Sequence, residues 1–469
     1  YGDHRDLHLS IRRQRQMCIR DRSFSDNVNS TWNGDYQSPI NPPKTADVVI
    51  IGGGIIGVST AYFLAKEGIK VCLCEKGYIS GEQSGRNWGF VRIQGRDERE
   101  IPMVLESQRI WRSFSSEIDE DTGYEESGCL FTAHNDKELQ SFKPWLELAD
   151  KYGIETELLD QKSLENEVGL ASKNWVGGII TRTDGRAEPQ KATLAIARAA
   201  EKLGAIIITG CSVRGIETSG GRLSKVITEK GSINTSTALC AAGAWSSYFC
   251  RSLGISVPQL KVRGTVARTN PIETKINGTI FDKKISIRKR NDGGYTLAHG
   301  STFDHSITPS TLYYSPKYIR ALINEFNVLK LAIGGDFIDE LNAPKKWDLD
   351  KESPFEKNRV LNPKPNKKTL SKIQKQLGEV YPELKDASIV ESWAGMVETT
   401  PDVVPVISHI DKIPGFYLST GFSGHGFGIG PGAGSIISKM IQNEPTIDLR
   451  EFRLDRFFDG SPIRIEAGI

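Results

Sequence analysis

The apolar positions of this chain fall into stretches with different periods. Val48-Val49-Ile50-Ile51 is an unbroken apolar run; glycines follow, then apolar residues at helical spacing as far as Gly68, then a second run from Lys70 to Cys74. Short continuous runs joined by a helix predict strands buried on both faces, a parallel β-α-β unit. The alternation returns between residues 184 and 268, with a loop, an amphipathic helix marked by Leu194, Ala197, Arg198 and Glu201, and a strand from Ala205 to Thr209. A hairpin and a strand ending in Ala242-Gly243-Ala244-Trp245 come next, before another helix. Residues 280 to 300 change period: polar and apolar residues alternate around Asp292-Gly293-Gly294, the pattern of an antiparallel hairpin. From 316 to 384 the chain is charged and predicted mostly helical, with LNPKPNKKT as a loop, in a different, antiparallel layer. Phe416 to Ser419 is a further strand, followed by a glycine-dense stretch and a helix from about Ala433. No internal repeat is visible.

Composition narrows the class. With 469 residues and 38% hydrophobic content the chain can bury the cores of two or three domains. No apolar run approaches the roughly 20 residues that cross a bilayer, and the first residues lack the apolar segment of a secretory signal, so the cytosol is the expected address. Seven scattered cysteines (18, 72, 74, 129, 211, 240, 250) do not form a disulfide framework. Cys72 and Cys74 share one face of a predicted strand and are read as packing; no metal site is expected. Within residues 1–22, Gln16-Met17-Cys18-Ile19-Arg20-Asp21 is similar to the translation of a sequencing-library transposase adapter, so this segment is expected to be an assembly artefact rather than a basic tail. It holds six Arg and three Asp, and without it the net charge of +2 falls to −1, which removes any bias toward nucleic acid. Residues 23–44 are polar and rich in Pro and Asn, so 1–44 is expected to be a disordered lead-in.

The candidate chemistry begins where the first strand ends. Gly52-x-Gly54-x-x-Gly57 permits a tight turn, close approach of backbone N–H groups to a pyrophosphate, and packing of the helix on the strand. Glu75 closes the second strand, 18 residues after Gly57, where it can accept hydrogen bonds from a ribose diol. Together they predict a dinucleotide site. Four arginines (86, 92, 96 and 99) follow within 25 residues of Glu75 and are not needed for a pyrophosphate that backbone amides already bind. Arg99, between Glu98 and Glu100, is expected to be a solvated surface charge. The glycines from 421 to 430 form a second glycine-rich helix entrance with no following strand and acid, suited to negative charge on a flat ring rather than to a second dinucleotide.

The fingerprint with Glu75, Ser84-Gly85-Arg86-Asn87-Trp88-Gly89, AAGAWS at 241–246, TPDVVPVI at 400–407 and GFSGHGFGIGPGAG at 421–434 occur in an order that resembles the FAD-dependent D-amino-acid oxidase superfamily. The D-amino-acid dehydrogenase and glycine/sarcosine oxidase branch is the most similar part of it. The resemblance covers about residues 45–450 and implies an α/β fold: a Rossmann-like FAD-binding domain (GR2-type) with an inserted antiparallel-sheet α+β substrate domain. The expected FAD-binding parts are 45–105, 175–265 and 386–450, the substrate parts 106–174 and 266–385, and the C-terminal tail 451–469. The implied cofactor contacts are Gly52, Gly54, Ile55, Ile56, Gly57, Glu75, Lys76, Ser84, Gly85, Arg86, Asn87, Trp88, Val213 (to the adenine), Ala242, Gly243, Trp245, Gly395, Gly424, His425, Gly426, Phe427 and Gly428.

Three departures from the sarcosine oxidases shape the functional expectation. Their FAD-linking cysteine corresponds to Gly395, so FAD is expected to be non-covalent. Their carboxylate-binding lysine after GHGF corresponds to Gly428. Their oxygen-activating lysine would fall on a strand at Tyr295 to His299, which has none, so a dehydrogenase passing electrons to a quinone or electron-transfer protein is favoured over an oxidase using oxygen. Arg92 and Arg96 match arginines beside the flavin and the substrate carboxylate; Arg288 and Arg290, two apart on the hairpin strand, are rival carboxylate ligands, and His425 is a further catalytic candidate. The implied reaction is hydride transfer from the Cα of a D-amino acid or N-substituted glycine to flavin N5, giving an imine that hydrolyses to a keto acid. The alternatives are an FAD-dependent 2-hydroxy-acid dehydrogenase and a flavoprotein subunit without its own catalysis. Peripheral association with the inner membrane is a further expectation, although no amphipathic anchor stands out.

Overall fold

Valine and isoleucine runs with no polar face are stable only when covered on both sides, and residues 48–51 and 71–74 are buried along their whole length. The computed structural model describes residues 36, 38–325 and 328–465. In chain order, the elements that build the site are β1 (Val48–Ile51), α1 (Ile55–Lys66), β2 (Val71–Cys74), α2 (Ile101–Ile118), α3 (Pro189–Lys202), β3 (Ile206–Ile208), β4 (Ala238–Cys240), β5 (Leu260–Thr269), β6 (Ile389–Thr399), β7 (Val406–His409), β8 (Phe416–Thr420) and α4 (Gly426–Ile441). Six of the strands form a sheet in the order β7-β8-β4-β1-β2-β3, parallel except for the β7–β8 edge. Its strands come from three separated stretches of chain, which meet because only the assembled sheet covers their apolar faces.

The second sheet has ten strands and lies largely antiparallel. Its axis is β5, paired with β6 from Leu260 opposite Thr399 to Thr269 opposite Ile389. The hairpin at Asp292–Gly294 joins Ser286–Lys289 to Tyr295–Ala298, which pairs with the other edge of β5. Two pairings are parallel: Thr279–Phe281 with Cys129–Ala133, and Phe303–Ser306 with Leu329–Ala332. A separate core backs this sheet, with Trp175, Ile287, Tyr295, Leu297, Ile373 and Tyr381 buried together. The described residues from 39 to 465 pack as one unit.

Several elements differ from the sequence reading. The last α-helix begins at Gly426, not near Ala433, so Gly426, Gly428 and Gly430 are helical while Gly421 and Gly424 stay in the loop before it. Glycines lie in the helix because it packs too closely for side chains. An added Cβ at Gly430 would stand 2.6 Å from Ile55, one at Gly432 2.4 Å from the Met103 carbonyl, and one at Gly434 2.5 Å from Ser59. The buried face of α3 includes Ala192, Ala195, Ile196, Ala197, Ala199 and Ala200; of the residues that marked its pattern in the sequence Ala197 is buried, while Leu194, Arg198 and Glu201 are only partly so. The 316–384 block contains the strand Leu329–Ala332 besides helices Pro309–Glu325, Gly335–Asn342 and Lys367–Val380. The end of the expected lead-in is docked: the Lys44 carbonyl accepts a hydrogen bond from the Asn234 amide at 2.9 Å. Residues 1–22, with the adapter-like hexapeptide, lie outside the described residues.

Candidate active site

The parallel sheet and the β5–β6 ribbon enclose a cavity of about 250 Å³. At one end it is a nucleotide cradle. Gly52 turns the chain at φ +114°, and a Cβ there would stand 2.5 Å from the Ala241 carbonyl, so β1 can pass directly beside the end of β4. The Ile55 amide, in the first turn of α1, donates to Ser84 Oγ at 2.8 Å. Glu75 holds both carboxylate oxygens in place, accepting from the Gly53 and Gly77 amides at 2.7 Å each, while burial raises its pKa. Lys76 lies 4.3 Å over the Trp245 ring and pairs with Glu82 at 3.0 Å, and Trp245 Nε1 donates to the same carboxylate at 3.0 Å. Phe355 and Val360 close this end.

At the other end the groups are cationic. Arg92 and Arg96 are buried in the wall. Arg92 Nη1 donates to the Gln94 carbonyl and its guanidinium lies 5.2 Å over Phe131, while Arg96 Nε donates to the Arg92 carbonyl at 3.3 Å. Arg96 Nη1 is buried with no hydrogen-bond partner. Loss of hydration, with repulsion from Arg92 added, pushes Arg96 down to about 9. It remains a cation at neutral pH. His425 Nδ1 lies 3.1 Å from Glu100 and its Nε2 is buried without a partner. Burial, reinforced by Arg96, pushes His425 down to about 4, which leaves the imidazole neutral, donating from Nδ1 to the carboxylate and presenting a lone pair at Nε2. Asp184 supports the group from behind, accepting from the Ile93 amide at 2.6 Å and Gln108 Nε2 at 2.8 Å, with burial lifting its carboxyl to about 7.

A family model described as FAD dependent oxidoreductase matches residues 47–440. The chain belongs to that family. L-Amino acid deaminase from Proteus myxofaciens, solved in complex with anthranilate, is 31% identical with a TM-score of 0.87, over 90% of this chain and 96% of that one. Sarcosine oxidase subunit beta of Rhodobacter capsulatus is 22% identical over 94% of this chain and 95% of its own length. The mitochondrial sarcosine dehydrogenase of Mus musculus is 25% identical over 90% of this chain but 42% of its own, so the chain spans less than half of that relative.

FAD is the cofactor of this family, and the residues present fit it. The cradle requires glycine at Gly52, Glu75 offers two anchored acceptors at the end of β2, and unpartnered buried polar atoms of Arg96, His425 and Glu398 border the same cavity. Gly54, Ile55, Ile56, Lys76, Ser84, Arg86, Asn87, Trp88, Val213, Ala242, Gly243, Trp245, Gly395, Gly424, His425, Gly426 and Phe427 also border it. Gly57, Gly85 and Gly428 stand behind the wall. A Cβ at Gly57 would fall 2.0 Å from the Gly52 carbonyl and one at Gly85 2.2 Å from that of Ser80, while the Gly428 carbonyl accepts from Ser107 and Trp111, both at 2.8 Å. Their glycine requirement is one of packing.

Three sequence readings are corrected here. Arg288 and Arg290 do not border the cavity: Glu188 already fills the Arg288 guanidinium fork at 2.9 and 3.2 Å, and Arg290 pairs with Asp292 at 3.0 Å. Arg99 is not a solvated charge but is buried between Asp97, at 2.7 Å, and Asp402, at 3.2 Å. The antiparallel sheet borders the cavity through β5, at Val262, Gly264 and Val266, and through β6, at Gly395, Val397 and Glu398, and not through Tyr295 to His299. Among the described residues, Lys76, at the nucleotide end, is the only lysine bordering the cavity. Sequence reasoning missed Glu100, Asp184 and Glu398. The sole signal was an acidic residue inside an otherwise apolar or glycine-rich context, as in Met396-Val397-Glu398-Thr399.

Proposed function

We propose that the chain oxidises the CH–NH bond of an amine bearing a neighbouring carboxylate, an α-amino acid or an N-substituted glycine. The observation that carries this reading is the pair of buried guanidinium groups at the non-nucleotide end, one of them with an unpartnered Nη1. Two cations held close together out of water ask for an anion between them, and a carboxylate satisfies them with charge-assisted hydrogen bonds. Bound FAD supplies the acceptor for two electrons and a proton as hydride. Arg96 and Arg92 fix the substrate carboxylate, the neutral His425 Nε2 accepts a hydrogen bond from the substrate amine, and Trp88, Phe281 and Phe427 keep water from the reacting carbon. The products are an imine, hydrolysed to a keto acid and an amine.

The sequence pointed to the D configuration. The likeness to an L-amino acid deaminase at 31% identity supports an L substrate instead, and the relatives named for sarcosine support the N-substituted glycines. FAD is held without a covalent bond, since Gly395 stands where a linking cysteine would and Cys74 is the only cysteine bordering the cavity among the described residues. With no lysine over the flavin end, the electrons pass to a quinone or an electron-transfer protein rather than to oxygen. No described helix is long and apolar enough to cross a membrane.

The test is an anaerobic absorbance titration of the FAD-loaded protein with L- and D-amino acids, sarcosine, proline and 2-hydroxy acids. Bleaching of the flavin band by one amine class is the expected result, and slow return of colour in air identifies the dehydrogenase. Bleaching by a hydroxy acid alone would overturn the amine reading.

A further inference from the structure

One buried acid in the cavity has no role in the cradle or in the arginine pair. Glu398, near the end of β6, is 3% exposed, and its Oε2 makes no hydrogen bond. Its cross-strand neighbour Lys261 does not pair with it but turns its ammonium over Trp245, 5.7 Å from the ring. A carboxyl group with an unfilled oxygen, out of water and without a cation, is costly unless a ligand completes its hydrogen bonds.

Its position says which part of the ligand that is. On one side is Gly243, where an added Cβ would lie 3.9 Å from Glu398 Oε2 and 3.1 Å from Gln83 Nε2. Gly243 follows Ala242, whose Cα approaches to 3.1 Å of an added Cβ at Gly52, so this is the diphosphate side. On the other side lie the Gly421 and Phe422 amides, which together with the Gln83 side chain partly offset the effect of burial on the carboxyl group, and which lead into Gly424–Phe427 at the ring end. In FAD the segment between diphosphate and ring is the ribityl chain, a run of hydroxyls. We propose that Glu398 holds the ribityl chain of FAD, its Oε2 hydrogen-bonded to a ribityl hydroxyl. Burial lifts the carboxyl group to about 7, so at neutral pH it exists in large part as the acid, which can donate to one hydroxyl and accept from another without placing a second negative charge beside the diphosphate.

The inference rests on the FAD assignment and not on the choice of substrate, so it is tested by binding. Apoprotein is titrated with FAD and with FAD analogues lacking the 2′-, 3′- or 4′-hydroxyl of the ribityl chain, following flavin fluorescence, with circular dichroism to establish that each variant is folded. Loss of one hydrogen bond in a water-free site is worth roughly tenfold in affinity. Wild type is expected to bind at least one deoxy analogue about tenfold more weakly than FAD, Glu398→Leu to bind FAD about tenfold more weakly and lose that discrimination, and Glu398→Gln to stay within about threefold of wild type. If Glu398→Leu does not fold, Glu398→Ala takes its place. Equal binding of FAD and all three analogues by wild type overturns the proposal, as does discrimination that persists unchanged in the folded Leu or Ala variant. Failure of the wild-type apoprotein to bind FAD at all would overturn the cofactor assignment instead.

Discussion

Arg96 and Arg288 are both buried arginines, yet only one is available to a substrate, and the difference lies in the partner. Glu188 spends its two oxygens on Arg288, whereas no group occupies Arg96 Nη1. Replacing Arg96 with Met is therefore expected to raise KM for the amine substrate by about a hundredfold, the loss of a buried charge-assisted hydrogen bond, while FAD affinity and the flavin spectrum stay unchanged. An unaltered KM would remove Arg96 from the carboxylate site. His425 carries a pH signature. Its folded pKa of about 4 lies below the ordinary value near 6.5, so between those values the unfolded chain binds a proton that the folded chain does not. Stability from this group is thus complete above about pH 6.5 and is lost as pH falls toward 4, by up to about 3 kcal/mol. Melting of wild type against His425→Gln should show the gap moving against wild type over that range; parallel curves would mean that the imidazole is not held neutral. The residue types of this site were legible in the sequence, but their partners were not. Asp402 lies 303 positions from Arg99, and Glu188 100 from Arg288, and no local pattern reports such pairings.

At the scale of elements, what the sequence made legible was whatever depends on neighbours in the chain. β1, α1 and β2 stand within a residue or two of their predicted limits, because apolar runs and glycine turns act locally. α4 was misplaced because its glycines are poor helix formers, and what overrides that propensity is contact with α1 and α2, elements more than 300 residues earlier. The TPDVV turn is another case. Val403 takes φ +64°, strained for a β-branched residue, and is held there by the Thr400 and Val404 hydrogen bonds and by Asp402 paired with Arg456 at 2.9 Å. The close helix crossing gives a direct prediction. Gly434→Val would drive side-chain carbon into Ser59, and the expected cost is about 1–3 kcal/mol or more, read as a melting temperature several degrees lower together with weaker FAD retention, since α1 contains Gly57 and follows directly on Gly52 and Gly54 of the fingerprint. An unchanged melting curve would mean that α1 and α4 are not in this close contact.

For the molecule as a whole, burial is uneven in a way that bears on the electron acceptor. Among the described residues, nine large apolar side chains between 312 and 341 are exposed, including Tyr313 at 73%, Ile323 at 71% and Ile333 at 78%. Elsewhere in the described chain such residues are scattered singly. No amphipathic anchor was legible in this block, because its apolar residues are divided among the helices Pro309–Glu325 and Gly335–Asn342, the strand Leu329–Ala332 and the link at Ile333, whose joint surface exists only after folding. Exposed Lys330, Lys345 and Lys346 accompany them beside exposed Asp336 and Asp339, so apolar contact leads and the lysines add a smaller attraction to anionic headgroups. A protein that reduces a membrane quinone needs such a surface, whereas one that reduces a soluble electron-transfer protein or oxygen does not. The prediction is that the protein floats with anionic phospholipid vesicles, that moderate salt weakens but does not abolish flotation, and that Ile323→Glu with Ile333→Glu abolishes it while leaving flavin bleaching by substrate intact. Quinone reduction in vesicles should fall with flotation in the double variant. If the wild type stays with the soluble fraction at low salt, the acceptor is sought among soluble partners, and the apolar surface has no part in electron transfer to lipid-borne quinone.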